Sequence, residues 1–450
     1  MAVESGGGSG KTAELKRVLT FKDLLLTSIG GIIGAGIMSI MGITIGMTGR
    51  SVPVSMVFAT IFVLLGIAPI IIISGTVRIR GGQYTIVGML AGKRLAGLFI
   101  IVDVATNISL SMYALSFADY FLAFVPDVPR KLVAVVILTF FWILNMFGID
   151  KMAKLQNLIV IALMAALVLF AGYGLPNVTP DYLTVDFAPN GFMGIITAAA
   201  LLYFATAGGQ LIAGLSGEAK NPTRDIPRAI IISTVLVAAL YAIVAVVASG
   251  VLPVAQVAGK PLTDVAKTVL PGPLYVFFMV GGAMFALIST LNAQMACAPK
   301  ALLQACADGW FPRKLSYIHP KYKTPMVLLT FYYLVGLLPI LIGFDIGLVA
   351  NLTVCLSQIN FMIISWNVVK LPSLVPEIWE KSSFKMPAGV LKIWSRVAVA
   401  VGIIQLWLLA RDLSVPMLIG NVCYFIFALI FSKVRADSPD VNMEISYEAN

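Results

Sequence analysis

Two apolar stretches carry glycines where a membrane helix would otherwise be continuous. Residues 21–47 are apolar enough to cross a bilayer, but their middle, Gly30–Ile37, reads Gly-Gly-Ile-Ile-Gly-Ala-Gly-Ile. A second span reads Ala-Thr-Ala-Gly-Gly at Ala205–Gly209. Glycine destabilises a helix interior by about 1 kcal/mol relative to alanine, and unwound backbone within a bilayer is tolerated only where it lines a protein cavity. The two interruptions therefore predict a binding site near the middle of the membrane.

An unwound segment inside a helix offers two kinds of backbone group. The helix that begins after the break presents unpaired N–H groups, whose partial positive charge favours a carboxylate. The helix that ends before the break presents unpaired C=O groups, which favour an ammonium group. An α-amino acid carries both charges. The other interpretation is that these glycines only allow neighbouring helices to pack closely.

A second set of residues has the spacing of a cation site. Ala286, Ser289 and Thr290 stand at positions i, i+3 and i+4 of an apolar span, so one carbonyl and two hydroxyls lie on one helical face. Such oxygen ligands suit a hard cation, and sodium is the candidate. The alternative is that both hydroxyls bond back to the carbonyls of their own helix.

The elements that position these residues are membrane helices. Of the 450 residues, 59% are hydrophobic and 12% are charged, whereas a soluble domain contains about 25% charged residues. This composition predicts an all-helical, multi-pass membrane protein. About twelve apolar spans approach the ~20 residues that a bilayer core requires, and they lie near residues 21–47, 52–77, 96–124, 131–148, 156–175, 191–217, 229–252, 273–304, 326–343, 346–370, 393–411 and 415–433.

The positive charges are concentrated on one side of the predicted membrane. If the N-terminus is cytoplasmic, most lysines and arginines fall in cytoplasmic segments and few fall in outer ones. This positive-inside bias places both termini in the cytoplasm. It also accounts for the net charge of +10 without a nucleic acid partner.

Residue types that enzymes and metal sites need are scarce. The four cysteines lack metal-ligand spacing, and the outer loop at Pro126–Arg130 contains none, so no disulfide-linked partner chain is expected. His319 is the only histidine and lies in a polar loop. The sequence therefore predicts that the protein is not an enzyme and holds no cofactor. The one candidate exception is sodium as a coupling ion.

The two interrupted spans open two halves of five spans each. Because five is odd, the second half enters the membrane from the opposite side, which is the arrangement of an inverted repeat. The last two spans lie outside the repeat, where packing or oligomer contact is their expected role. The predicted boundaries are a disordered tail at 1–15, one transmembrane domain at 16–433 with repeats at about 16–175 and 190–370 and extra helices at about 393–433, and a cytoplasmic tail at 434–450.

Ordered motifs along the chain resemble the amino acid–polyamine–organocation (APC) family of transporters. Gly30–Met38 is similar to the first-helix signature of that family. Each motif is weak alone, but the ordered set covers nearly the whole chain. The further motifs are Arg80–Tyr84 in an inner loop, Leu144–Gly148 with Gln156–Asn157, Glu218–Arg228 after helix six, and Asp308–Pro312 with His319–Pro320 and Lys323–Pro325 after helix eight.

The resemblance implies a leucine-transporter-type fold with helices 1 and 6 unwound at the midplane. It implies that the backbone at Ala35 and Gly36 binds a substrate carboxylate, and glycine at Gly34 and Gly36 lets the ligand approach closely. Ile33, Gly208 and Gly209 belong to the same two breaks. The carbonyls implied to bind the substrate amine are those of Ile32, Phe204, Ala205 and Ala207.

The resemblance also bears on ion coupling. In the related sodium-coupled fold, two helix-one carbonyls join the helix-eight oxygens, and the matching positions here are Gly30 and Ile33. Many family members instead carry a lysine in helix five, where this chain has Leu163. Sodium coupling, obligate exchange and proton coupling all stay open at this point.

The pocket for the substrate side chain is less defined. Family members often carry an aromatic residue where this chain has Gly209, which would enlarge the pocket or remove a gate, and Phe204 would serve as a lid. Asn107 and Ser357 are candidate ligand contacts or helix–helix hydrogen bonds. Because the broken segments hold no ionisable residue, we expect neutral substrates.

Three carboxylates in or near membrane spans are candidates for function. Asp103 and Asp119 lie in helix three. For each, a role in transport is one interpretation, and contact with water or pairing with a loop cation is the alternative. Glu218 is expected in a cytoplasmic gate, with Arg80 or Arg224 as its partner.

Together these features predict a secondary transporter of amino acids or related amines in the plasma membrane, as a monomer or homodimer. It would work by alternating access. A transporter-like nutrient sensor is the alternative from another class, and it would require a large soluble domain or a long tail. A channel would require a filter or pore ring.

Overall fold

The computed structural model describes residues 15–79, 81–344, 346–410, 413–443 and 447–448. The chain is helical almost throughout. Its first half contains α1 (Phe21–Ile32), α2 (Ala35–Thr48), α3 (Val52–Thr76), β1 (Arg78–Ile79), α4 (Gly82–Ala91), α5 (Lys93–Thr106), α6 (Ser109–Leu122), α7 (Arg130–Met146) and α8 (Ile149–Gly174).

The second half continues with helices of more varied length. A 3-10 helix at Gly209–Leu215 follows α9, and a π-helical segment at Phe278–Met284 precedes α14. The elements are α9 (Gly191–Thr206), α10 (Pro222–Gly250), α11 (Val254–Val257), α12 (Leu262–Val269), α13 (Gly272–Phe277), α14 (Phe285–Ala307), α15 (Met326–Ile342), α16 (Ile346–Asn367), α17 (Leu371–Leu374), α18 (Pro376–Lys381), α19 (Ala388–Ala410), α20 (Val415–Ala436) and β2 (Tyr447–Glu448).

The prediction of a multi-pass helical membrane protein is confirmed. Each predicted apolar span falls on one helix or on a run of consecutive helices. Within the described residues, nine such runs are long and apolar enough to cross a bilayer, and Met326–Ile342 is a shorter apolar helix. The full count of twelve and the inverted repeat stay predictions.

Both predicted interruptions occur at the expected glycines. α1 ends at Ile32 and α2 begins at Ala35, while α9 ends at Thr206 ahead of the 3-10 helix. Gly208 has a φ of 127°, a conformation that favours glycine. The sequence did not predict a third interruption, between α5 and α6.

The interrupted helices cross each other at close range. A Cβ atom on Gly208 would lie 2.3 Å from the Gly31 carbonyl oxygen, and one on Gly36 would lie 2.7 Å from Ala205 Cα. α1 packs against α8, α10 and α14, whereas α2 packs against α9. The glycines therefore do serve close packing, and this packing also brings the two breaks together.

The first and last described segments of the chain meet one face of the helical bundle. We call it the terminal face and define it by Leu19, Glu218 and Asp308. Leu19 forms a parallel bridge with Ala219. The predicted boundaries shift slightly here, because Leu15 is already buried and α20 continues to Ala436. Residues 1–14 of the predicted disordered tail lie outside the described residues.

A segment after α20 folds back onto the terminal face. β2 pairs antiparallel with β1, with Arg78 opposite Glu448. Val441 and Met443 are buried, and the Asn442 N–H donates to the Asp308 carbonyl over 3.0 Å. The predicted tail at 434–450 is thus partly built into the bundle.

Candidate functional site

A cavity of about 210 Å³ lies where the two interrupted helices meet. Its size is below the ~300–1,000 Å³ of pockets for drug-sized ligands, so it suits a small metabolite. The structure brings together most of the residues predicted to bind substrate. Those that line the cavity are Ile32, Gly34, Gly36, Phe204, Ala207, Gly208 and Ser357.

The backbone around the cavity has the two polarities expected of the breaks. Gly34 is the N-cap of α2 and makes no side-chain cap, so the first N–H groups of α2 have no partner within their own helix. The carbonyl ends of α1 and α9 reach the same cavity at Ile32 and Ala207. The site can therefore hold a carboxylate at one end and an ammonium group at the other.

Four predicted residues whose side chains the structure describes do not line the cavity: Ile33, Ala205, Gly209 and Asn107. The side chain of Ala35 lies outside the described part of the chain. The amide of Asn107 instead donates to the Asp103 carbonyl over 2.8 Å and accepts a bond from Gln294 Nε2 at 2.7 Å. Asn107 therefore makes the helix–helix hydrogen bond that was the alternative to a ligand contact.

Gly209 has a packing role in place of the pocket role expected from the sequence. Its carbonyl accepts a 3.1 Å hydrogen bond from Ser28 Oγ of α1. A Cβ atom on residue 209 would lie 2.8 Å from Ser28 Oγ. A larger side chain would therefore collide with α1, and its absence does not enlarge the cavity.

Sequence analysis missed several amide and phenol side chains of the cavity. An amide in an apolar span carries a weak signal, because it can equally bond to a neighbouring helix. Gln210 Oε1 also accepts the Gly208 N–H over 3.0 Å and so caps the second break. The missed amide and phenol lining residues are Gln83, Gln210, Gln294, Gln358, Gln405, Tyr113 and Tyr203.

The five oxygen atoms of the predicted cation site converge in the structure. Thr290 Oγ1 lies 2.9 Å from the Gly30 oxygen, 3.2 Å from the Ile33 oxygen and 3.1 Å from the Ala286 oxygen. Ser289 Oγ lies 3.2, 3.5 and 2.9 Å from the same three carbonyls. The cluster adjoins the cavity, because Thr290 also lines it.

Both hydroxyls lie within hydrogen-bond distance of all three carbonyls of this cluster. Each hydroxyl carries one hydrogen and donates it to one carbonyl at a time, so other close oxygen pairs have no proton between them. Back-bonding to Ala286, the alternative interpretation, uses one of the three carbonyls. The oxygens lie 2.9–3.5 Å apart. This spacing is compatible with a hard cation between them, since the hard cation calcium, for comparison, takes oxygen ligands at about 2.3–2.6 Å.

The two carboxylates of helix three have different surroundings. Asp119 binds Arg130 through two hydrogen bonds of 2.5 and 2.8 Å, at a site where both side chains are partly exposed. Pairing with a loop cation is therefore confirmed for Asp119. Asp103 instead lines the central cavity.

Glu218 is buried at the terminal face, and its partner differs from the expected one. Lys300 Nζ of α14 donates to Glu218 Oε1 over 2.8 Å, and both side chains are buried. The expected pairing with Arg224 is therefore wrong. Arg80, the other expected partner, lies outside the described residues.

A second buried network holds α4 on α14. The Tyr84 hydroxyl donates to Asp308 Oδ2 and Gln304 Nε2 donates to Asp308 Oδ1, each over 2.8 Å. Burial, with the Asp308 carboxylate nearby, raises the pKa of Tyr84 well above its usual range. The phenol therefore stays protonated and acts as a hydrogen-bond donor.

Known proteins are similar to this chain over most of its length. The family model for amino acid permeases matches residues 19–447. Branched-chain amino acid permease BcaP of Bacillus subtilis is 28% identical, over 94% of this chain and 95% of the relative. The methylthioribose transporter of the same organism is 28% identical, over 86% of this chain and 87% of the relative.

A third relative matches over a shorter region. Cationic amino acid transporter 3, mitochondrial, of Arabidopsis thaliana is 31% identical, over 35% of this chain and 24% of the relative. The family match covers most of the chain and confirms the resemblance stated from the motifs. These relatives are permeases or transporters and not enzymes. The chain therefore belongs to the amino acid permease family of the APC transporters and is a multi-pass membrane protein.

Proposed function

We propose that this protein is a secondary active transporter that moves amino acids or closely related amines across the plasma membrane by alternating access. The observation that carries the proposal is the shared cavity of the two helix breaks, which offers N–H groups from α2 and carbonyls from α1 and α9. A zwitterionic head group matches these two polarities. The relatives named as amino acid permeases and transporters support the same substrate class.

We further propose that sodium drives the transport. Support comes from the five oxygens around Ser289 and Thr290, which include two carbonyls of the α1 break. A cation bound there would order the backbone that also begins the substrate site, so ion and substrate would bind with positive cooperativity. The terminal face would be cytoplasmic, in keeping with the positive-inside bias.

The direct test is uptake into proteoliposomes. Purified protein is reconstituted, and uptake of a labelled amino acid mixture is measured with and without an inward sodium gradient. We expect saturable uptake that the gradient stimulates. Uptake that needs internal amino acid and ignores sodium would indicate obligate exchange, and uptake that follows a proton gradient without sodium would indicate proton coupling.

Substitutions without a hydroxyl separate the ion site from general packing. Thr290→Val keeps the shape of the side chain and removes one of the five oxygens, so we expect it to abolish sodium stimulation. Thr44→Val is the matched control, because Thr44 is also buried and, among the described residues, its hydroxyl donates to carbonyls of its own helix, at Ile40 and Met41. Equal sodium stimulation in both variants would contradict the assignment of the ion site.

A further inference from the structure

Asp103 places a carboxylate in the wall of the central cavity. It lies in the last turn of α5, just before the interruption between α5 and α6. Among the described residues that line the cavity, it is the one side chain with a formal charge. The cavity therefore has a single carboxylate among its described lining residues.

The carboxylate has no partner in the described part of the chain. The hydrogen bonds that reach Asp103, from Thr106 Oγ1 at 2.7 Å and from Asn107 Nδ2 at 2.8 Å, both end on its backbone carbonyl. By contrast, the carboxylate of Glu218 is paired with Lys300. A carboxylate withdrawn from water is costly unless a cation or several donors compensate it.

The polar side chains that line the cavity with Asp103 are neutral. Gln294 of α14 and Gln358 and Asn360 of α16 line the same cavity. Their amide oxygens, together with the carboxylate, offer several acceptors to a donor-rich ligand. The described lining residues include no lysine or arginine, so the cavity offers no cationic side chain to an acidic ligand side chain.

We propose that Asp103 binds a second cationic group of the substrate, so that the cavity prefers dibasic amino acids or diamines to neutral compounds of the same shape. This inference rests on the proposed function, in which the interrupted helices hold the head group. It revises the neutral substrates expected from the sequence. That expectation considered the interrupted segments, whereas Asp103 lies on α5.

Pairs of ligands with one shape and different charge provide the test. Dissociation constants are measured by thermal stabilisation of the purified full chain with arginine against citrulline and with lysine against norleucine. We expect the cationic member of each pair to bind about ten- to a hundredfold more tightly, the range of one charge-assisted hydrogen bond. In Asp103→Asn this ratio should fall to about one, while Asp103→Glu should retain most of it.

A comparison with a diamine distinguishes the two ligand classes, dibasic amino acids and diamines. If 1,5-diaminopentane binds as tightly as lysine, the carboxyl end of the substrate contributes little and diamines are the natural class. If lysine binds much more tightly than 1,5-diaminopentane, dibasic amino acids are the natural class. Either result identifies the ligand class, while the ratio in Asp103→Asn tests the cation site.

The control variant is Asp119→Asn, because that carboxylate is already paired with Arg130. We expect it to leave the arginine-to-citrulline ratio unchanged. Equal binding of arginine and citrulline to the natural protein would overturn the inference and leave the proposed function intact. Failure of every amino acid and amine to bind would overturn the proposed function itself. If Asp103→Asn does not fold, the natural protein and Asp103→Glu decide the matter.

Discussion

At the scale of single residues, Gly34 connects the substrate cavity to the candidate sodium site. It lines the cavity, and a Cβ atom at this position would lie 2.8 Å from Thr290 Oγ1. The lack of a side chain at one position therefore keeps both sites in contact. The packing interpretation and the binding interpretation of the glycines are compatible here.

Gly34→Ala should weaken substrate binding and sodium stimulation together. The added methyl group would displace the Thr290 hydroxyl, and we expect at least a tenfold loss of sodium affinity, equivalent to about 1.4 kcal/mol. The measurement is sodium-dependent thermal stabilisation of the purified protein. Gly172→Ala is the control, because its Cβ atom would meet nothing within 4 Å. If Gly34→Ala behaved like Gly172→Ala, the link between the two sites would be refuted.

Lys300→Met should strongly destabilise the fold. It leaves the Glu218 carboxylate buried without its cation, and breaking a buried pair costs about 3–5 kcal/mol. The free energy of unfolding in detergent measures this loss. Lys385→Met is the control, since Lys385 pairs with Glu380 where both side chains are at least half exposed, and such pairs contribute about 0–1 kcal/mol. Similar losses in both variants would argue against the buried pair as a structural anchor.

Sequence patterns predicted the residues of the site better than their partners. The glycine breaks and the spacing of Ser289 and Thr290 are local signals, and the structure brings these residues together. Lys300 lies far from Glu218 in the chain, so no local pattern links them. Asn107 had two interpretations in the sequence, and only its contact with Gln294 across helices distinguishes them.

At the scale of elements, the interruptions differ in how visible they are in the sequence. The breaks at Gly34 and Gly208 are marked by glycine. The break between α5 and α6 at Asn107 carries no glycine or proline, and side-chain bonds from Thr106 and Asn107 to the Asp103 carbonyl accompany it. Such a break depends on side-chain bonds to the backbone, which propensity scales do not register.

The segment after α20 stabilises α4 through one apolar contact. The Met443 side chain packs on Gly88 of α4, where a Cβ atom would meet Met443 Cε at 2.3 Å. We expect Met443→Ala to raise the rate of amide hydrogen exchange in Gly82–Ala91, because the helix loses its cover.

Asn442→Ala is the matched control for this contact. Its side chain is exposed, and its backbone N–H still donates to the Asp308 carbonyl after the substitution. Exchange in α4 should therefore stay at the natural rate. If both variants exchanged alike, the segment would not be holding the helix.

At the scale of the whole molecule, charge asymmetry orients the bundle in the membrane. We expect the terminal face to be cytoplasmic, because lysine and arginine are concentrated in the segments on that side. In a background with the four cysteines replaced by alanine, an impermeant maleimide applied to intact cells should label the Asp127→Cys variant and not the Lys314→Cys variant. Both side chains are exposed, Asp127 in a turn and Lys314 in a short 3-10 helix. The reverse labelling would invert the proposed orientation.

The β1–β2 pair also sets an order of events during synthesis. β1 leaves the ribosome after α3, whereas β2 follows α20, so every membrane helix has been made before the two strands can meet. A pair of two-residue strands is too weak to form alone; it requires a bundle that already holds β1 and α20 in place. Until then, the α4 surface at Gly88 is uncovered. A chain whose synthesis stops early would keep that apolar surface open, where cellular quality control can recognise it as unfinished.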